Sequence, residues 1–179
     1  MDESCDVLIL GAGAAGAVAA SRLAAAGFDV ICLERGSWTD PASYPGDRPD
    51  WELLASRRWS SSPTVRRNRI DYPIDTTDSD LGILDFKGVG GGTILYNAQW
   101  PRMMPDDFRV RSVDGVADDW PIGWDDLVEH YERTDIEFGV SGLGDNPALP
   151  PCAPPPLPAM PIGEAGLRVA RGMHALGWH

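Results

Sequence analysis

Residues 5–34 run Cys5-Asp-Val-Leu-Ile-Leu10, Gly11-Ala-Gly-Ala-Ala-Gly16, Ala17-Val-Ala-Ala-Ser-Arg-Leu-Ala-Ala-Ala26, then Gly27 and Phe28-Asp-Val-Ile-Cys-Leu-Glu34. Residues 5–10 form a short aliphatic run bounded by glycine, the pattern of a strand buried in a parallel sheet. The alanine-rich stretch from Ala14 to Ala26 carries Val18 and Leu23 and stops at Gly27, which predicts a helix entered through a tight turn. Phe28 to Leu33 returns to the strand pattern and ends on Glu34. The stretch therefore reads strand, glycine turn, helix, strand, a βαβ unit.

Gly11, Gly13 and Gly16 fit a G-x-G-x-x-G spacing, in which one glycine allows the sharp turn, one lets a pyrophosphate approach, and one lets helix and strand pack closely. The pyrophosphate would rest on the helix N-terminus, where free N–H groups and the dipole favour an anion. A lone glycine hexapeptide also arises from packing of small residues. Here a strand precedes it, a helix follows, and Glu34 ends the next strand about 20 residues on, where a carboxylate can bind a ribose 2′-OH. An acidic residue there disfavours a 2′-phosphate, so NAD or FAD is expected before NADP.

The 179 residues suit one domain, or one domain and the start of a second. Hydrophobic residues at 43% and charged residues at 23% are those of a globular chain that can build a core. A net charge of −12 argues against nucleic acid or an anionic membrane surface as partner. Cys5, Cys32 and Cys152 form no C-x-x-C pair; Cys5 and Cys32 lie in or beside apolar runs where a buried thiol packs well, which suits a reducing compartment. The start, Met1-Asp-Glu-Ser4, is acidic where a targeting segment is basic, and no apolar run reaches the roughly 18 residues of a membrane span, so the chain reads as cytoplasmic.

Between Gly36 and Asp80, prolines separate polar pieces and the pattern is weak. Gly88-Val-Gly-Gly-Gly92 precedes Thr93, and the segment to Trp100 predicts a short helix or tight turn. By composition Gly90-Gly-Gly-Thr93 is equally a flexible loop or a backbone that must approach a flat ligand too closely for Cβ atoms. Trp124, Leu127, Val128 and Tyr131 fall at i, i+3, i+4 and i+7, with Asp125, Asp126 and Glu129 supplying negative charge for a helix N-terminus. Residues 147–161 are dominated by proline and predict a linker or a surface traverse; 163–176 is helix-like again. The tryptophans read as packing, and the run Asp114 to Asp119 as a solvated loop rather than a metal site, since it lacks ligand spacing.

Gly11 to Gly16, Glu34-Arg35-Gly36, Lys87 to Thr93 and Trp120-Pro-Ile-Gly-Trp-Asp-Asp-Leu127 together resemble the glucose-methanol-choline (GMC) oxidoreductases, FAD enzymes that oxidise alcohols and sugars. Gly90-Gly-Gly-Thr-Ile-Leu-Tyr-Asn-Ala98, with Pro101-Arg102 and Asp107-Phe108, is similar to that family's flavin-proximal signature, and the pattern is closer to its gluconate and fructose dehydrogenase-like branch. The resemblance implies an α/β fold: a Rossmann-like FAD-binding domain, a parallel sheet with flanking helices, over 1–145. That domain is expected to be incomplete, followed by a proline-rich linker over 146–162 and, over 163–179, the start of a further segment belonging to a substrate domain.

Carried over residue by residue, the resemblance implies that Gly11, Gly13 and Gly16, with Ala14 and Ala15 between them, hold the FAD pyrophosphate. Glu34, beside Arg35, would meet the adenosine ribose. Gly90, Gly91, Gly92 and Thr93 would line the flavin side, and Asn97 and Ala98 would place backbone groups near its ring. The family's asparagine often comes one position earlier, where Tyr96 stands, and Phe86 replaces a small residue. Some members attach flavin to a histidine at the position of Leu95; leucine has no nucleophile, so non-covalent FAD is expected. Hydride would pass from a CH–OH carbon of an alcohol or sugar to flavin N5. The base that takes the hydroxyl proton is a histidine far toward the C-terminus in that family, so this chain is expected to be an N-terminal fragment lacking it. His130, His174 and His179 have nothing acidic placed to orient them. The alternatives are an NAD-dependent dehydrogenase and a nucleotide-binding fragment without catalysis. The sequence names neither the substrate nor the electron acceptor.

Overall fold

A computed structural model describes residues 4–44, 46, 48–96, 98–144 and 146–178. Two compact units emerge, Met1–Gln99 and Trp100–His179. The first opens with strand β1 (Val7–Leu10), helix α1 (Ala14–Ala25) and strand β2 (Val30–Leu33), the predicted order. β1 and β2 pair in parallel, Val7 opposite Val30 and Leu10 opposite Leu33. Parallel neighbours need a crossover between them, and α1 supplies it. Gly27, at φ +91°, ends the helix in the left-handed region that an L side chain resists.

Along β1 only one face is covered among the described residues, while along β2 burial falls from half-buried Val30 and Ile31 to exposed Cys32 and Leu33. Val7 and Ile9 are half-buried, whereas Leu8 and Leu10 are exposed. Both strands were expected to be buried on two faces, and Cys32 to pack as a buried thiol. Cys32 is exposed instead, because no described element covers that end of β2, while Cys5 is half-buried.

The weakly patterned stretch after Glu34 folds into short pieces: helix α2 (Trp51–Ala55), helix α3 (Pro63–Arg66) and single 3-10 turns. Its interior is polar as much as apolar. Trp59 is buried with the Tyr44 ring edge-on at 5.5 Å, and beside them Arg66 and Asp71 are buried as an ion pair at 2.8 Å.

In the second unit, helix α4 (Val110–Asp114) precedes helix α5 (Trp124–Phe138), the amphipathic helix read from the sequence. The Asp126 carboxylate accepts a hydrogen bond from the Gly123 N–H at 2.8 Å, satisfying an N-terminal donor, and Gly139 closes the helix at φ +65°. Phe108 and Trp124 are its buried apolar residues. Strands β3 (Ser141–Gly142) and β4 (Leu157–Pro158) make a short parallel pair, and helix α6 (Gly163–Ala175) follows. The proline-rich stretch lies on α5, held by the Ala153 N–H to the Glu132 carboxylate at 2.7 Å and by Arg102 to the Ala153 carbonyl at 3.2 Å.

Candidate functional site

The glycine turn lies at the end of β1, and its first and third glycines have separate physical reasons. Gly11 has φ +95°, open only to glycine at low energy. A Cβ on Gly16 would stand 2.0 Å from the Gly11 carbonyl oxygen and 3.3 Å from the Ile9 side chain, so only glycine lets α1 lie this close to β1. Gly13 is different: its φ is −75°, and nothing in the described chain lies within 4 Å of where its Cβ would be. Neither conformation nor internal packing requires a glycine there, and Ser, Thr, Asp or Asn would cap the helix better. Among the described residues no side chain caps α1, and no acidic residue stands in its first turn, so the N–H groups of Ala14, Ala15 and Gly16 open α1 without a side-chain cap from them.

The second glycine cluster comes to the same place. Ser37, just beyond β2, bridges Gly88 in parallel, and the Val89 N–H donates to the Ser37 carbonyl at 3.2 Å. The Gly90 N–H then donates to the Ala12 carbonyl at 2.7 Å. A Cβ on Gly91 would reach 3.0 Å from the Gly13 Cα, and Gly91 itself has φ +55°. Gly90 begins a 3-10 turn over Gly91–Ile94, and the Thr93 hydroxyl donates to the Gly90 carbonyl at 2.6 Å. Two glycine-rich backbone segments thus meet beyond the C-terminal ends of β1 and β2. Gly92 resembles Gly13: nothing lies within 4 Å of its missing Cβ. This arrangement, with the first helix N–H groups free of side-chain caps among the described residues, suits a ligand that carries a pyrophosphate.

Glu34 ties the first glycine turn to the stretch after β2. Its Oε2 accepts from the Ala12 N–H and its Oε1 from the Gly36 N–H, both at 2.8 Å. The Gly36 and Ala12 hydrogen bonds hold its carboxyl below the ordinary glutamate value, outweighing partial burial. Gly36 was not singled out as a site residue, although a Cβ there would overlap the Lys87 carbonyl at 2.2 Å. Its signal was its place immediately after the acidic end of β2. The Arg35 side chain turns away toward the Tyr72 carbonyl at 3.2 Å. Ala98 has φ +53°, a left-handed backbone that alanine rarely adopts. Asn97 lies outside the described residues. Leu95 and Gly92 line a cavity of about 420 Å³ with Ser61, Leu84, Phe86 and Tyr96.

Of the expected residues, the structure brings together Gly11, Gly13, Ala14, Ala15, Gly16 and Glu34 with Gly90, Gly91, Gly92 and Thr93. The long-range links, Gly90 to Ala12, Gly91 against Gly13 and Gly36 against Lys87, are invisible to local pattern.

The chain carries an FAD-binding domain: residues 4–47 match the family described as FAD binding domain. It is 34% identical over 184 residues to 2-methyl-1,2-propanediol dehydrogenase from Mycolicibacterium austroafricanum, covering 99% of this chain and 32% of that protein. It is 28% identical to the fructose dehydrogenase large subunit from Gluconobacter japonicus, over 89% of this chain and 32% of that one. Paromamine 6'-oxidase from Streptomyces fradiae is 30% identical over 92% of this chain and 29% of its own length. The chain therefore spans about a third of the length of the curated relatives it matches. No helix among the described residues is long and apolar enough to cross a membrane.

Proposed function

We propose that this chain is the FAD-holding part of a GMC-type oxidoreductase that oxidises CH–OH groups of alcohols or sugars, on the gluconate and fructose dehydrogenase-like branch. The observation that carries the reading is the meeting of the two glycine segments, Gly90 N–H on the Ala12 carbonyl with Gly91 against Gly13. An NAD site needs the first segment alone; in this reading the second segment, brought against the first, serves the flavin half of FAD. Similarity to proteins named as a diol dehydrogenase, a fructose dehydrogenase subunit and a paromamine oxidase supports the substrate class.

In this reading the N–H groups at the start of α1 bind the pyrophosphate, and Glu34, whose oxygens each keep a lone pair, accepts from the adenosine ribose. Gly90, Gly91, Gly92, Thr93, Asn97 and Ala98 flank the flavin. FAD, when bound, supplies a hydride acceptor at its N5. Leu95 offers no nucleophile, so the flavin is held without a covalent bond. No residue of this chain is assigned as the base: His130 and His174 are exposed on α5 and α6. In this reading the Rossmann-like domain runs over 1–145, and the proline-rich 146–162 leads to a further segment over 163–179.

Absorbance and fluorescence spectra of the purified chain, before and after denaturation, test this. FAD released in roughly one-to-one ratio is expected. Colour that stays with the denatured protein would refute the Leu95 argument, and binding of NAD in place of FAD would refute the assignment.

A further inference from the structure

We infer that the buried Arg66–Asp71 pair is a positioning element for the flavin side of the site: it holds residues 85–87 so that the Gly88–Gly92 turn lies against Gly13. The inference rests on the proposal that this turn faces FAD.

The connections are short and converge on one segment. The Arg66 guanidinium donates to the Ser60 carbonyl at 2.6 Å, the Asp85 carbonyl at 2.6 Å and the Asp71 carboxylate at 2.8 Å. Its central carbon lies 5.5 Å from the centre of the Phe86 ring. The Lys87 ammonium donates to the Asp71 carbonyl at 2.6 Å. Asp85, Phe86 and Lys87 are therefore each tied to one member of the pair, and the glycine turn begins at the next residue. From there the chain is held by Ser37, then by Ala12, and ends against Gly13. The Phe86 ring also explains a departure from the family pattern, since a large residue here covers Arg66 and lies against Gly88, where an added Cβ would be 2.7 Å from the ring.

Stability is a poor account of the pair. Both side chains are nearly inaccessible, at 1% and 3%, and Arg66 Nε and Asp71 Oδ2 have no hydrogen-bond partner among the described residues. Two buried charges that are only partly satisfied stabilise a fold less than apolar residues of the same volume. What the pair supplies is directional: a planar fork that fixes two carbonyls and a carboxylate at once.

The test compares dissociation constants for FAD and for ADP, which carries the adenosine and pyrophosphate but no flavin, in the full chain. The variants are Arg66→Lys, which keeps the charge without the fork, and Arg66→Met with Asp71→Leu, which replaces the pair by apolar volume. Thermal midpoints and flavin fluorescence are recorded alongside. FAD binding is expected to weaken about tenfold in both variants, with altered flavin fluorescence. ADP binding should stay within about twofold, and the double variant should regain the unsubstituted chain's midpoint while FAD stays weak. The FAD-to-ADP ratio is independent of the fraction folded, so an unstable variant still reports. Equal loss of FAD and ADP, or recovery of FAD affinity together with the midpoint, would overturn the inference and leave the FAD site standing. An unsubstituted chain that binds neither ligand would overturn the FAD site itself, and the inference with it.

Discussion

The paired glycine segments of the first unit and the α5 region of the second are held by opposite means. In the first, backbone meets backbone because side chains are missing: Gly16 on Gly11, Gly36 on Lys87, Gly91 on Gly13. In the second, side chains reach across. Arg102 Nε and Nη2 both donate to one Asp135 oxygen, at 3.1 and 2.6 Å, the Trp100 indole N–H donates to the other at 3.1 Å, and Glu132 holds Ala153. Burial opposes the charge of Arg102, but the hydrogen bond and charge of Asp135 outweigh it and raise its pKa above the ordinary value. The first region should tolerate no added Cβ at Gly16, Gly36 or Gly91, and the second no removed carboxylate at Asp135.

The largest effect is expected from Asp135→Ala, which leaves Arg102 buried at 7% exposure without its anion and should cost about 3–5 kcal/mol in a denaturant titration. Adding Arg102→Met should recover most of that loss; failure to do so would mean the region depends on more than paired charge. Next comes Gly16→Ala. Its Cβ would meet a carbonyl oxygen at 2.0 Å with no flexible side chain to yield, so a loss of about 3 kcal/mol is expected by the same titration, with α1 displaced from β1. If Gly16→Ala proves neutral, the region is looser than its contacts imply.

Glu34→Gln should have a smaller effect, about 1–2 kcal/mol at neutral pH, because one of two charge-assisted bonds to backbone N–H groups is lost. It also carries a pH signature. The folded-state pKa of Glu34 is depressed, chiefly by the Gly36 and Ala12 N–H groups, so its contribution is full above the unfolded value of about 4.5 and is lost as pH falls through the lower folded value. Thermal midpoints between neutral pH and pH 3 should therefore fall further in the native chain than in Glu34→Gln. Parallel pH profiles would show that the carboxylate does not clamp the turn. The smallest effect is expected at Ala98, where Ala98→Gly relieves a left-handed backbone at φ +53° and should be near neutral or stabilising by up to about 1 kcal/mol in the same assay.

Local pattern was enough wherever a residue's role depends on its chain neighbours. The βαβ order, Gly27 as a helix stop and the amphipathic α5 with its early aspartates were all legible, because strand and helix periods and capping act over a few residues. Arg66 and Asp71 were not, since a buried ion pair has no spacing of its own and both stand in a stretch broken by prolines. The exposure of Cys32 was missed for a related reason: an apolar run states what a strand can bury, while burial depends on what packs against it. Glu34 was expected to meet a ribose, and its hold on the Ala12 and Gly36 N–H groups needed coordinates.

The sequence by itself determined the turn, the helix after it and the acidic end of β2, hence a place for a dinucleotide, because glycine conformation and hydrogen-bond capacity are properties of single residues and short spacings. Only the tertiary structure decided that Gly90 and Gly91 close on Ala12 and Gly13, and that Arg66 and Asp71 lie behind the segment leading to them. Those contacts join residues far apart in the chain, and whether they form depends on which backbone surfaces can approach without side chains between them.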